Sequence, residues 1–193
     1  RDSKKLAKRT KFMLDSIEGI GRINYLVEST EEISISGLGA VNFLPASAAA
    51  GRGIPACSVL LLDEAAFIEL IDEIYRAAAP ALSMLGDLGK IIIVSTPDFE
   101  SGWFGSKWYD GLSPDWYDFV KQRDFEGLQQ LLDAVGGEWH RVVVHYSMHP
   151  IYNADPDWAE KTKAANKYTE ADWNSEFELE FGATGSQIYP SAL

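Results

Sequence analysis

Two uninterrupted apolar runs constrain this chain more than any other feature. They are "SVLLLD" at 58–63 and "GKIIIVSTP" at 89–97. Continuous apolar character marks a strand buried on both faces, the situation of strands in a parallel sheet. "EAAFIELIDEIYRAAAPALSML" between them is helical in composition, with Pro80 as the expected break or kink. One right-handed crossover through that helix makes the two strands neighbours. Each run ends in chemistry: Asp63 and Glu64 at one tip, Ser95 and Thr96 at the other.

The flanking sequence fits the same class. Residues 3–18 place Leu6, Phe12, Met13 and Ile17 near helical spacing, and "GIG" at 19–21 stops that helix. "RINYLVES", "EEISISG" and "AVNFLP" read as short strands from alternation and β-branched content. "ASAAAGRGIPA" is a loop with Arg52 between two glycines. "GWFGSKWYD" and "DFEGLQQLLDAVG" read as helices, and "EWHRVVVHYS" reads as a third good strand. "DPDWAEKTKAANKY" and "TEADWNSEFELEF" open on helix N-caps, Asp155 or Asp157 and Thr169. Strands alternating with helices predict an α/β architecture, a mainly parallel sheet flanked by helices.

Composition narrows the function. A formal net charge of −12 argues against a chain that binds nucleic acid through its whole surface. The basic cluster Arg1, Lys4, Lys5, Lys8, Arg9 and Lys11 reads as a solvated helix face. The lone cysteine, Cys57, excludes an internal disulfide and suggests no thiolate metal site. No apolar run approaches the roughly 20 residues of a membrane span, and an intracellular protein fits best.

In open parallel sheets, ligands sit at the carboxyl ends of the strands. Two carboxylates beside two hydroxyls suit a nucleotide–magnesium site. One carboxylate holds the hydrated Mg²⁺; the next polarises the attacking water as a general base. A hydroxyl on the adjacent strand senses the terminal phosphate. The same "DE" also suits plain helix capping, where the dipole favours negative charge.

"LPASAAAGRGIPACSVLLLDEAAFIE" followed by "GKIIIVSTPDFESGWFGSKWYD" resembles the ATPase domain of the large terminase subunit, the DNA-packaging motor of tailed phages. "WNSEFELEFGATGSQIYP" looks like that family's segment at the end of its ATPase domain. The resemblance covers residues 33–190 or so, and rests on the order and spacing of the motifs. It implies an additional-strand, P-loop NTPase-like fold and ATP hydrolysis with Mg²⁺ and ATP as cofactors. It implies Asp63 as the Walker B aspartate that holds Mg²⁺, and Glu64 as the catalytic glutamate. Ser95, Thr96 and Pro97 match the coupling motif, and Arg52 matches a glycine-flanked arginine that can act as an arginine finger. The implied partners are double-stranded DNA through the full-length parent, the portal protein, the small terminase subunit and further copies in a homo-oligomeric ring. The implied location is the host cytoplasm.

The departure is the phosphate-binding loop. G-x-x-x-x-G-K-[ST] is absent: "GIGRINY" and "GATGSQ" carry glycines but no Lys-Ser or Lys-Thr. The chain is therefore expected to be a partial ATPase domain over 1–193, with a core over about 20–150 and a C-terminal helical or linker segment over about 151–193. Alone it is expected to be inactive. No nuclease-type acidic metal cluster is legible. His140, His145 and His149 read as strand-end histidines, and the six tryptophans as packing residues with acidic neighbours. Two other readings stay open: a segment of a helicase-like P-loop ATPase, and a non-catalytic interaction module with a remnant NTPase fold.

Overall fold

In the computed structural model, residues 3–17, 23–45, 47 and 57–182 are described, and the chain divides into two units, 1–58 with 72–90 and 59–71 with 91–193. Arg52, the "GIG" stop and residues 183–193 lie outside the described residues.

In the first unit, helix α1 (Ser3–Asp15) precedes strands β1 (Tyr25–Glu28), β2 (Glu32–Ile35) and β3 (Gly39–Asn42). The strands form an antiparallel sheet in the order β1-β2-β3, with Glu28 opposite Ile33 and Ile33 opposite Val41. Connections of three residues leave no other choice, since a parallel pair needs a crossover of a dozen or more. Ser29 shapes the first turn by accepting from the Glu31 and Glu32 amides. Gly37 (φ 77°) shapes the second by taking a left-handed conformation. Ala7, Ile33 and Phe43 form the buried core, with Leu14, Tyr25 and Ile35 against it. Lys11 bridges Asp15 at 2.8 Å and Glu28 at 3.4 Å, so part of the basic cluster is spent on neighbours.

Helix α2 (Ile71–Ser83) buries Ile71, Ile74, Ala78, Ala81 and Leu82, a stripe at three- and four-residue spacing. Pro80 does not end it. The helix runs three residues further, because proline removes only one amide bond and the turn beyond it closes normally.

The second unit carries β4 (Val59–Asp63) and nearly all of β5 (Lys90–Val94), paired as a two-stranded parallel sheet. The expected neighbours are neighbours. The expected burial on both faces is not found. Leu62 is buried, but Val59 and Leu61 are 52% exposed, with Ile92 at 48% and Val94 at 50% on the equivalent face of β5. The pair is covered on one face only, so alternation returns to runs that read as uniformly apolar. The mainly parallel sheet is corrected to a mixed α/β chain whose larger sheet is antiparallel.

Helices fill the rest: α3 (Trp103–Trp108), α4 (Trp116–Gln122), α5 (Phe125–Val135), α6 (Pro150–Ala154), α7 (Trp158–Asn166) and α8 (Glu170–Glu176). Leu112, Trp116, Val120, Leu128 and Leu132 make the core of this unit. Trp108 packs edge-on to Trp116 at 5.0 Å. The expected third strand, "EWHRVVVHYS" at 138–147, joins no ladder among the described residues, and Tyr146–Met148 is a 3-10 turn. Buried Arg141 ties it down, donating to the carbonyls of Trp108, Lys107, Asp110 and Trp139. The first three lie at and just beyond the end of α3, where helix carbonyls take partners from outside the helix. Val142 and Val144 are left 58% and 78% exposed. The side chain at 141, not the valine run, decides this segment's path.

Candidate functional site at the ends of β4 and β5

The C-terminal ends of β4 and β5 bring four of the expected site residues together. Asp63 closes β4 and is exposed. Glu64 follows with φ 53° and ψ 42°, a left-handed backbone. A branched or long L-residue adopts this at a cost of about 1–2 kcal/mol, so the surrounding structure must impose it. The turn Ala65–Phe67 imposes it from one side. Ala65 is fully buried, and the Phe67 amide donates back to the Glu64 carbonyl at 3.0 Å. Ser95 imposes it from the other: the Ala66 amide donates to Ser95 Oγ at 3.0 Å across 29 residues of chain. The expected coupling of the two strand ends is therefore a specific hydrogen bond.

Thr96 is the next residue on β5's exit. Its Oγ1 is buried without a hydrogen-bond partner among the described residues. A buried hydroxyl left unpaired costs about 1–3 kcal/mol, and its survival asks for an explanation. Pro97 is buried and its carbonyl accepts from Ser175 Oγ at 2.8 Å.

The electrostatics single out Glu64. Its carboxyl has no side-chain cap bond, and its pKa is raised, first by burial and then by the negative charges of Asp63 and Glu176. All three causes oppose ionisation, the pattern of a poised acid or base rather than a structural ion pair. Asp98, one residue past Pro97, is also raised by burial.

Among the described residues, no three His, Cys, Asp or Glu side chains gather into a metal cage. A Mg²⁺ ion held by one or two carboxylates, waters and phosphates needs none. Exposed Asp63 is a carboxylate of that kind, and the unsatisfied Thr96 hydroxyl follows the neighbouring strand. Arg52 lies outside the described residues and joins no geometry here.

A second constellation escaped the sequence reading. Glu178 meets Arg123 Nη2 at 3.0 and 2.7 Å through its two oxygens. It also accepts from Tyr146 Oη at 3.2 Å and Trp173 Nε1 at 3.3 Å. His145 is 1% exposed, with Nε2 2.8 Å from Arg123 Nη1 and 3.5 Å from Glu178 Oε2. Burial alone would raise Glu178, but hydrogen bonds from His145 and Arg123, the Arg123 charge and the Trp173 bond outweigh it and hold the carboxyl at about 2. Trp173 is five residues away, but Arg123 and Tyr146 are 55 and 32 residues from Glu178, so no local spacing announced the cluster. His145 is thus a buried network member. His149 stacks on Tyr152 at 4.2 Å. The tryptophans pack as expected, Trp173 on Phe177 at 4.2 Å and Trp158 on Tyr152 at 4.3 Å.

Compared with protein-family models and with curated proteins, the chain matches none.

Proposed function

We propose that this chain carries the metal-side half of an ATP-hydrolysis site, as the ATPase segment of a terminase large subunit that packages double-stranded DNA. The observation that carries the reading is the strand-end juxtaposition: Asp63 and Glu64 tied through the Ala66–Ser95 bond to a second strand end with an unsatisfied Thr96 hydroxyl. A fold of the P-loop NTPase-like, additional-strand type accommodates a parallel pair of this kind, and the other strands of such a sheet belong to the proposal.

When bound, Mg²⁺ with ATP would supply charge neutralisation across the phosphates. Asp63 would hold the hydrated ion. Glu64 would take the proton of the attacking water. Its raised pKa suits that task, because a base works best as its pKa nears the working pH. Thr96 would give its free hydroxyl to a terminal phosphate oxygen, and Ser95 would keep the Glu64 turn in place. Pro97 would pass the displacement on. Arg52 would serve the nucleotide of a neighbouring copy. The phosphate loop, the portal protein, the small terminase subunit, the ring of copies and the host cytoplasm complete this reading.

The test uses a protein in which a G-x-x-x-x-G-K-[ST] segment precedes Arg1. It should hydrolyse ATP only with Mg²⁺, and Asp63→Asn should raise the Mg²⁺ concentration for half-maximal rate at least about tenfold. DNA-stimulated unwinding without packaging partners would instead favour a helicase-like ATPase. Absence of ATP binding by calorimetry would favour a non-catalytic module.

A further inference from the structure

The chain leaves α8 and returns to the strand end just described. Ser175 Oγ donates to the Pro97 carbonyl at 2.8 Å. Seven residues later, Gly182 N–H donates to Asp98 O at 2.7 Å, and its carbonyl accepts from the Glu100 amide at 3.3 Å. This is a parallel bridge between Phe99 and Gly182. A Cβ on Gly182 would come within 3.2 Å of the Phe99 ring, so the approach is close. The segment 175–182 thus touches the residues that directly follow Ser95 and Thr96.

Between its two contacts the segment is anchored and strained. Glu178 is gripped by Arg123 at 2.7 Å. Leu179, the next residue, has φ 60°. A bulky residue in the left-handed region is a genuine outlier, kept only where the surroundings over-determine it. The Glu178 anchor is one constraint. The other is Phe181, which packs against Tyr109 at 5.2 Å and Phe104 at 6.0 Å. The helix ends at Glu176; bonds from the Glu178 and Glu180 amides to Trp173 O and Asn174 O fold the chain over its end, and the longer-range contacts draw it back to the strand end.

We infer that residues 175–182 form a strap that positions the strand end, with Ser175 as the positioning residue and Glu178 as the anchor. The path is continuous: Glu178 to Arg123, Ser175 to Pro97, Ser95 to Ala66, and so to the left-handed Glu64. Releasing the anchor lets Leu179 relax, withdraws the hold on Pro97 and loosens the Ser95–Ala66 bond. For its consequence in catalysis this rests on the strand-end reading above; its structural test does not.

The test is residue-resolved amide hydrogen exchange on the 193-residue chain, for wild type, Glu178→Gln, Ser175→Ala and Ser175→Thr. In Glu178→Gln the Gly182 and Glu100 amides should exchange at least about tenfold faster. The decisive reporter is the Ala66 amide, which lies across the site and donates to Ser95 Oγ, not to a strap residue. It should exchange about three- to tenfold faster in both Glu178→Gln and Ser175→Ala, and return to the wild-type rate in Ser175→Thr, which keeps the hydroxyl. Amides of α5 at Leu128 and Leu132, in the same unit, report its global opening and should not change in either Ser175 variant. If they speed up in Glu178→Gln, the Ser175→Ala and Ser175→Thr pair decides. Faster exchange at Gly182 with Ala66 unchanged would overturn the inference, and so would no change at either. In the ATP-hydrolysing longer protein, Ser175→Ala should lower kcat about tenfold with KM unchanged. If that protein hydrolyses no ATP, the strand-end reading fails while the exchange result still judges the strap.

Discussion

Glu64 and Glu178 stand in the same unit, each beside a left-handed backbone, and the fold treats them in opposite ways. Glu178 is met by a guanidinium, a phenol and an indole, and its carboxyl is held at about 2. Glu64 is met by Asp63 and Glu176, both negative, and its carboxyl is raised. The strain beside Glu178 falls on Leu179, whereas Glu64 carries its own at φ 53°. A carboxylate with every lone pair answered is a fastener. A carboxylate pushed toward protonation, with no partner of opposite charge among the described residues, is the pattern on which the proposed catalytic role rests. Direction of the shift, not its size, separates the two.

The contrast breaks first on rate. In a nucleotide-competent protein, Glu64→Gln should lower kcat by about 10²–10⁴, the usual worth of a general base, as read by phosphate release. The same change should not lower the urea midpoint and should raise it slightly, because Glu64 satisfies no partner and its charge is opposed by burial, Asp63 and Glu176.

Glu178→Ala should do the reverse to stability. It leaves Arg123 beside buried His145 without its counter-charge. Breaking a fully buried pair costs about 3–5 kcal/mol; with Arg123 37% and Glu178 23% exposed, solvent screening brings this to about 2 kcal/mol. Urea unfolding gives the value directly, and a loss below about 0.5 kcal/mol would show the clamp to be ornamental.

Acid titration sharpens the same point. Glu178 is depressed to about 2 from the ordinary 4.5, so the unfolded chain binds its proton first. Its stabilisation is fully present above about pH 4.5 and is lost as pH falls toward 2. Thermal melts of wild type should therefore lose Tm across that window, and melts of Glu178→Gln should lose less. The smallest effect belongs to the backbone. Glu64→Gly removes the Cβ penalty at φ 53° and should stabilise by about 0.5 kcal/mol, after the extra freedom glycine gives the unfolded chain.

What the residues announced and what they hid follow from range. The strand runs at 58–63 and 89–97 were visible because apolar continuity is local, and their pairing followed from one helix between them. The Thr169 cap was visible for the same reason: its side chain and Asp172 answer each other three residues apart. Helix α4 was missed because "DWYDFVKQ" follows a proline and carries few strong helix formers; burial of Trp116 and Val120 makes it. The strand expected over "EWHRVVVHYS" (138–147) failed because Arg141 answers carbonyls more than thirty residues away. The clamp at Glu178 and the strap at 175–182 were illegible for the same reason. Asp63 and Glu64 at one strand tip and Ser95 and Thr96 at the other were legible as neighbours, but the bond between the two tips uses the Ala66 amide, and no side-chain pattern encodes a backbone donor.

The most direct test pairs two readings on one variant. Glu64→Gln, in a protein carrying the phosphate loop, is assayed for Mg²⁺-dependent ATP hydrolysis and unfolded in urea from the same preparation. The account predicts a rate loss of at least about 100-fold with a urea midpoint that does not fall. An unchanged rate, or a rate lost only together with stability, would contradict it.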